Sequence, residues 1–593
     1  MCGIAGIMTR DGSAPGAGAV DRLLGALAHR GPDGEGRYRA GGVAMVQTRL
    51  AIIDLKTGDQ PLYEPGGAAL VANGEIYNYV ELTRELEGEV ALATKSDCEL
   101  PLHLYRREGL DFAKRLRGMY AIAIHDPAEG GRLVLSRDPF GIKPLYFTQT
   151  DDHFAFASEP RALLAAGLVG PRAQVEEDAR DILLQLQFGC GETTPIRGIE
   201  RVLPGETLVI QRGRIVERRH REALPEGGPE TITEAAALER LDAALRDSVT
   251  VHQRSDVPYG LFLSGGIDSS AVLSMMAELN QRPVVAYTAG FSGGHVHDER
   301  DHARMLAAHL GAEHHEIAFE ERDFWETLPR IALAMDDPAA DYAVLPTWKL
   351  AERAAQDLKV VLCGEGGDEL FAGYGRYRAL GRPWWLGGRG IRNRGIFEGL
   401  GVLRQEGRGW RDPIAAKEAM HRETGRNRLQ AAQAIDCADW LSNDLLTKLD
   451  RCLMAHGLEG RTPFLDPAVA AAAFRLPDAL KIRGKRGKWL LRRWLDRRLP
   501  EAQAFERKRG FTVPVGAWIA QEGARLGPLV ARQPAIEAVA KPRAVEALFA
   551  KAGGKREGFA AWTLLFYALW YAGVIEGRSP AGRNVFAMLE ERA

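Results

Sequence analysis

Two regimes of hydrophobic patterning predict two domains: a strand-dominated α+β domain over residues 1–217 and an α/β domain with a doubly wound parallel sheet over 234–593. Three observations carry this reading. In the first region short apolar runs are broken by Gly, Pro and Asp turns. In the second, apolar strands alternate with amphipathic helices and glycine-rich loops, the pattern of parallel βαβ units. Between them, residues 218–233 form a charged stretch holding Pro225, Gly227, Gly228 and Pro229, the composition of a linker.

In the first domain, strands are expected at 42–47, 50–55, 69–72, 119–125, 133–136 and 153–157. Helices are expected at 21–27 and 96–107, where apolar positions recur three and four apart. Past the linker, a helix at 234–252 leads into a strand at 259–263, a Gly/Ser loop and a helix at 269–279. Next come a strand at 284–291, a helix at 299–310 and a strand through 315–318. A further strand at 359–363 ends in a second glycine-rich loop. Residues 382–428, rich in Arg, Gly and Trp without clean periodicity, read as a variable helical insertion, and from Leu445 onward the pattern is mostly helical.

Composition narrows the function classes. The 593 residues are 46% hydrophobic and 26% charged, ordinary values for a folded chain long enough for two cores. A formal net charge of -2 gives no electrostatic bias toward nucleic acid or a membrane surface, so small molecules are the expected ligands. Six cysteines without a CxxC pair suit a reducing compartment better than a disulfide framework or structural zinc. Arg10 and Asp11 stand where a secretory signal needs its apolar run, and no window is expected to span a membrane; the expected location is the cytoplasm.

The chain opens Met1-Cys2-Gly3, and removal of Met1 would leave a thiol on the first residue. A terminal α-amine titrates near 7.7–8.0 and can take the proton from its own thiol, so nucleophile and base would share one residue. Four further segments come in order: HRGPD at 29–33, RLAIIDL at 49–55, NGEIYN at 73–78 and TKSDCE at 94–99. Taken singly, Arg49 and Asp97 read as surface charges and Asn73-Gly74 as a hairpin turn. Together with Cys2 they resemble the glutaminase domain of class II, N-terminal-nucleophile amidotransferases, whose fold stacks antiparallel sheets between helices. The resemblance implies that Arg49 forks onto the glutamine carboxylate, with Leu50, Ala51, Ile52 and Ile53 beside it. It further implies that Asp97 and Glu75 receive the ammonium, and that the Asn73 side chain and Gly74 N–H form an oxyanion hole for attack by Cys2.

The second constellation is SGGIDSS at 264–270, set between an apolar strand and a helix, where main-chain N–H groups and the helix dipole make an anion site. It lacks the GxxxxGK[ST] pattern of a kinase-type loop and resembles the loop of AMP-forming enzymes that release pyrophosphate. A second loop, CGEGGDELFAGY at 363–374, again comes after a strand and adds acidic residues near the expected carboxyl edge of the sheet. With LDRCLMAHGLEGRTPFLD at 449–466 and GKRGKWLLR at 484–492, these motifs resemble the asparagine synthetase family over nearly the whole chain except 382–428.

That resemblance implies an ATP-pyrophosphatase-type synthetase domain in which Leu263, Ser264, Gly265, Gly266, Asp268, Ser269, Ser270, Ala289, Cys363 and Gly364 hold ATP. Asp268 and Asp368 would hold Mg2+, Glu365 would support an acyl-adenylate, and Arg451 and Lys488 would stabilise charge on pyrophosphate or on the tetrahedral adduct. The family usually has a small hydroxyl residue where Cys363 stands. For Asp268 and Asp368 alone, helix capping is the competing reading, and for Lys488 a solvated charge in the basic run 481–498. The implied substrates are glutamine, ATP and aspartate, and a homodimer is implied.

The residues leave open amidation of another carboxylate, such as a dipeptide, a sugar acid or a secondary metabolite, since acceptor choice falls in segments such as 340–349 and the insertion. They also leave open an inactive glutamine-sensing or scaffolding paralogue, against which Cys2, Asp268 and Asp368 argue. The segment 506–518 looks like a family element near the active-site mouth, with no task assigned. His295, His297, Asp298 and Glu299 lack HExxH spacing and read as a helix start, while His314 and His315 read as packed side chains; no zinc is expected.

Overall fold

The computed structural model describes residues 2–128, 130–170, 172–291, 299–380, 390–405, 409–506 and 513–591. His295, His297 and Asp298, residues 507–512, and parts of the 382–428 insertion lie outside them.

The N-terminal region is two stacked six-stranded antiparallel sheets. In the first, Cys2–Thr9 lies between Val43–Arg49 and His153–Ala157, so the first strand is central rather than an edge. In the second, Ala69–Ile76 pairs with Gly118–Asp126, placing Asn73 opposite Ala121 and Gly74 opposite Tyr120. Alternating residues of both sheets meet face to face: Ile4, Met8, Met45, Val71, Ala123, Leu135, Phe156 and Leu208 are buried in one cluster. Helix Ala17–Leu27 covers the outer face of the first sheet and helix Leu100–Glu108 that of the second, completing a four-layer α+β domain.

Two expectations are corrected by this domain. Residues 50–55 form no strand: their main-chain donors are taken by distant carboxylates, Ala51 N by Asp33 at 2.8 Å and Asp54 N by Asp256 at 2.8 Å, and Asp54 has a left-handed φ of 52°. The segment expected as a linker from Arg218 begins inside strand Arg214–His220, the edge of the second sheet.

The C-terminal region carries a five-stranded parallel sheet ordered Glu313–Phe319, Val285–Phe291, Tyr259–Phe262, Val360–Leu362, Glu459–Arg461. The chain runs outward from Tyr259–Phe262 in one direction, then returns to its other side with Val360–Leu362. The order reverses between these neighbours, and such a switch point opens a crevice at the carboxyl edge of the strands. Both glycine-rich loops leave from that edge. Helix Glu234–His252 has the expected bounds, capped by Thr233, whose Oγ1 accepts from Ala236 N at 3.2 Å. Helix Ile267–Leu279 starts two residues earlier than expected, putting Asp268 in its first turn. Strand Glu459–Arg461 interrupts the region expected to be helical.

One stretch, Lys555–Ile575, is long and apolar enough to cross a membrane by composition, contrary to the expectation that none would be; 83% of its apolar window is packed inside the protein. Trp562 and Trp570 on it are fully buried, and Trp562 Nε1 donates to Ala340 O at 2.6 Å. It is a core helix.

The regions meet through buried ion pairs. Arg30 forks onto Asp450 at 2.8 and 2.9 Å, Arg201 onto Asp337 at 2.6 and 2.7 Å, and Arg117 reaches Asp466 at 2.8 Å. Trp562→Ala removes a large core side chain and orphans the Ala340 carbonyl; the expected cost is about 3–5 kcal/mol, read as a lower apparent Tm in a thermal melt.

Candidate active sites

Cys2 stands on the central strand of its sheet, and its side chain faces the second sheet's Asn73. The Gln47 amide donates to Cys2 Sγ at 2.8 Å, and Cys2 N donates to Asn73 Oδ1 at 3.0 Å. Burial pushes the thiol up from its ordinary value, opposed by the Leu50 main chain and Gln47. Because Asn73 Oδ1 is taken by Cys2 N, its Nδ2 points elsewhere: it is buried and has no hydrogen-bond partner. A buried donor without an acceptor is costly and marks a place where charge is to be received. Gly74 is fixed by packing, since a Cβ there would sit 2.1 Å from Met119 O.

Around this lies an acidic pocket. Asp97 is buried, accepts from Ile76 N at 2.6 Å, and is pushed up to about 6 by burial. Glu75 is pushed well above the carboxylate range by burial, by Glu459 and by Asp97, with Arg461 pulling the other way. Arg49 holds Asp59 at 2.7 Å and the carbonyl of Asp54 at 2.5 Å, tying down the 50–59 loop. Leu50, Ile52 and Ile53 pack against Val360 and Met454 of the synthetase-side core, which anchors this loop in place of strand pairing.

The second site is the crevice at the parallel sheet's switch point, a cavity of about 310 Å³ lined by Leu263, Ser264, Asp268, Ser269, Ala289, Cys363, Gly364, Glu365 and Asp368, among others. An adjoining cavity of about 290 Å³ adds Gly265, Gly266 and Lys488. Lys488 is buried with its ammonium against Asp268 and, at 2.7 Å, Asp368. Burial opposes that charge, but the two carboxylates outweigh it and its pKa is raised. Lys488 is therefore a charged group inside the site, not a solvated one. Ser270 lines neither cavity; its hydroxyl is buried behind the loop.

Arg451 departs from its expected place. It is not among the residues lining either cavity. Its Nε donates to Asp336 at 2.9 Å and its Nη1 to Asp450 at 3.0 Å, so it braces the Arg30 pair at the domain boundary. His314 and His315 are packed as expected, His314 against Thr288 Oγ1 at 2.8 Å and His315 stacked on Tyr287.

The sequence of this two-site chain matches the family model for asparagine synthase over residues 240–572 and that for a glutamine amidotransferase domain over 1–221. It is 31% identical to glutamine-hydrolyzing asparagine synthetase 1 of Bacillus subtilis, over 98% of each chain. The chain belongs to the asparagine synthase family. It is also 30% identical to glutamine-hydrolyzing asparagine synthetase B of Escherichia coli K12, over 83% of this chain and 78% of that one. Amidase chry2 of Gibberella zeae matches at 32% over 64% of this chain and 60% of its own.

Several residues of this family member escaped sequence reasoning. Arg30 sat inside the 29–33 motif without a role; it is fully buried and donates to Cys2 O at 3.2 Å, Glu159 at 2.8 Å and Asp450. Gln47, Glu159 and Lys448 gave no local signal, because each acts through partners far away in the chain, and Arg461 sat inside the 449–466 motif without a role.

Burial pushes Asp97 up to about 6, among Glu75, Glu459 and Arg461. A cationic ligand group favours its ionised form. As pH falls through 6 the carboxyl takes a proton and that attraction is lost. The KM for glutamine should rise about fivefold between pH 6 and pH 5, measured by glutamate release, while a pH-independent KM would exclude Asp97 as an ammonium contact.

Proposed function

We propose that this protein is a glutamine-hydrolysing asparagine synthetase, converting glutamine, ATP and aspartate to glutamate, asparagine, AMP and pyrophosphate. The observation that carries the reading is that buried ion pairs join a thiol pocket with an orphaned amide donor to a pyrophosphate-type loop in one chain.

With Met1 removed, Cys2 N becomes an α-amine that takes the thiol proton, and Asn73 Oδ1 holds it in place. The thiolate attacks the side-chain carbonyl of glutamine. Negative charge forms on the oxygen, where Asn73 Nδ2 and the Gly74 N–H receive it. The intermediate collapses to a thioester, ammonia leaves with the returned proton, and water then releases glutamate. Arg49 takes the substrate carboxylate and Asp97 with Glu75 the ammonium.

In the crevice the acceptor carboxylate attacks the α-phosphorus of ATP, pyrophosphate departs, and ammonia displaces AMP from the mixed anhydride. The 264–270 loop and the N-terminus of helix Ile267–Leu279 cradle phosphate oxygens. Lys488 meets charge on pyrophosphate, and Glu365 stands by the acyl carbon. Asp268 and Asp368, on either side of Lys488, are two hard oxygen donors that would hold a Mg2+. When bound, that ion supplies charge neutralisation on the phosphates. For the acceptor, the cavity offers Lys448, held charged by Asp341 and Glu365, and the buried Glu369. Lys448 suits a carboxylate, and Glu369, pushed up to about 7 by burial, is ionised by an arriving ammonium, so the pair suits an acceptor bearing both groups, which supports aspartate. A cytoplasmic setting is part of the proposal, supported by six cysteines that form no disulfide.

Cys2→Ala should cut glutamine-dependent synthesis more than about a thousandfold while ammonium chloride still supports it. Asp268→Ala should abolish synthesis with either nitrogen source. Product analysis should find asparagine and AMP in equal amounts, both lost with EDTA and restored by Mg2+. ADP and orthophosphate in place of AMP would refute the reading.

A further inference from the structure

Between the two sites lies a buried ionic cluster in which Arg461 and Glu459 are not used by the chemistry of either site, while Glu75 belongs to the first. At its centre is Arg461, fully buried on strand Glu459–Arg461. Its Nε donates to Glu459 at 2.6 Å, and Nη1 donates to the carbonyls of His252 at 2.9 Å and Arg254 at 2.7 Å. Nη2 lies 3.4 Å from Glu75 Oε2, and neither of these two atoms has a hydrogen-bond partner. Three bonds fix the guanidinium from the synthetase side, and its remaining arm faces a carboxylate two residues after Asn73.

The main chain of the same residue belongs to the other site. Arg461 O accepts from Cys363 N at 2.8 Å, and the strand runs parallel to Val360–Leu362 with Arg461 opposite Leu362. Cys363, Gly364 and Glu365, directly after that strand, line the nucleotide cavity. There is little slack in between. A Cβ on Gly460 would come within 2.9 Å of a Leu453 methyl, so the strand packs directly on helix Thr447–Met454, which carries Lys448 and Leu449 of the cavity wall.

We propose that Arg461 is a positioning residue for both half-reactions, setting Glu75 through its side chain and the 363–365 loop through its main chain, so that filling one pocket changes affinity at the other. This rests on the two-site reading above. A glutamine ammonium arriving beside Glu75 and Asp97 competes with Nη2 for Glu75. The guanidinium then answers only to Glu459 and the two carbonyls, and the strand end that holds Cys363 N–H adjusts. Packed interiors transmit such a shift because they cannot deform continuously. By linkage, ATP must alter glutamine affinity by the same factor.

The test is calorimetric titration of full-length Cys2→Ala protein, which binds glutamine without consuming it, with ATP and Mg2+ in the presence and absence of saturating glutamine. The expected result is a change in the Kd for ATP of about fivefold or more, a reciprocal change in the Kd for glutamine, and loss of both when Arg461→Lys is added. Glu75→Gln in the same background, titrated with glutamine raised until its weakened site is saturated, should also erase the coupling, and Glu75→Asp should restore it; a merely structural role for Arg461 would lower Tm without touching this ratio. If Arg461→Lys fails to fold, the Glu75 pair decides, since it leaves the other three bonds of Arg461 in place. A Kd for ATP indifferent to glutamine, or coupling that survives Glu75→Gln, overturns the proposal. No acceptor is present, so failure here is distinct from failure of wild-type protein to make asparagine, which would instead remove aspartate as the acceptor.

Discussion

Arg30 is where the two halves of the molecule are held to one another, and its surroundings explain how a thiol on one sheet is kept in register with a crevice on another. Its guanidinium is fully buried and satisfied by the Cys2 carbonyl, Glu159 and a forked pair with Asp450. Desolvating such a group costs several kcal/mol, and the pair compensates only when the geometry is good and the remaining donors are met. Apolar side chains of equal volume would bury the same area. They would not specify an angle, and the fork does. Arg201 with Asp337 repeats the device at a second point, with Tyr146 donating to the same carboxylate at 3.0 Å. Two directional contacts fix rotation as well as position.

The glutamine pocket uses charge in the opposite sense. Glu75, Asp97 and Glu459 stand around Arg461 in a buried space, and burial, with the neighbouring carboxylates adding to it, pushes both Glu75 and Asp97 up. Carboxylates held above their ordinary range destabilise the empty pocket and favour an arriving cation. Selectivity for an amino-acid ammonium then needs no large contact area. Beside these carboxylates the Asn73 Nδ2 donor is buried and unpartnered, so the space holds polar groups of both signs without full compensation.

Local signals in the sequence revealed the elements, and long-range ones did not. Helix Glu234–His252 was legible because its cap, its apolar period and its end are all written within the segment. The phosphate loop was legible because strand, glycines and helix succeed one another directly. Residues 50–55 misled because their apolar run looks like a strand, while the groups that pull it into a loop, Asp33 and Asp256, lie far off in the chain. Arg451 misled for a related reason: it lies within the 449–466 motif, but Asp336 and Asp450 turn it toward the domain boundary. Strand Glu459–Arg461 has three residues, too few to show a period, and only its neighbour Val360–Leu362 makes it a strand. Lys555–Ile575 has the composition of a membrane span because it is buried on all sides by protein.

Helix Thr447–Met454 concentrates these demands in eight residues. Lys448 and Leu449 line the nucleotide cavity, whereas Asp450 and Arg451, the next two residues, hold Arg30 and Asp336. A regular helix would splay four consecutive side chains around its axis, and here each of those directions is used. The segment before it, Asp436–Leu446, is wound as a π-helix, whose i→i+5 bonding rotates the register of the helix it leads into. That segment is tied down on the amidotransferase side, with Asn443 donating to Gly189 O at 3.1 Å and Asp439 accepting from Gly191 N at 3.0 Å. The wider winding sets the rotation at which helix Thr447–Met454 leaves this segment, and so turns Lys448 toward the cavity and Asp450 toward Arg30 together.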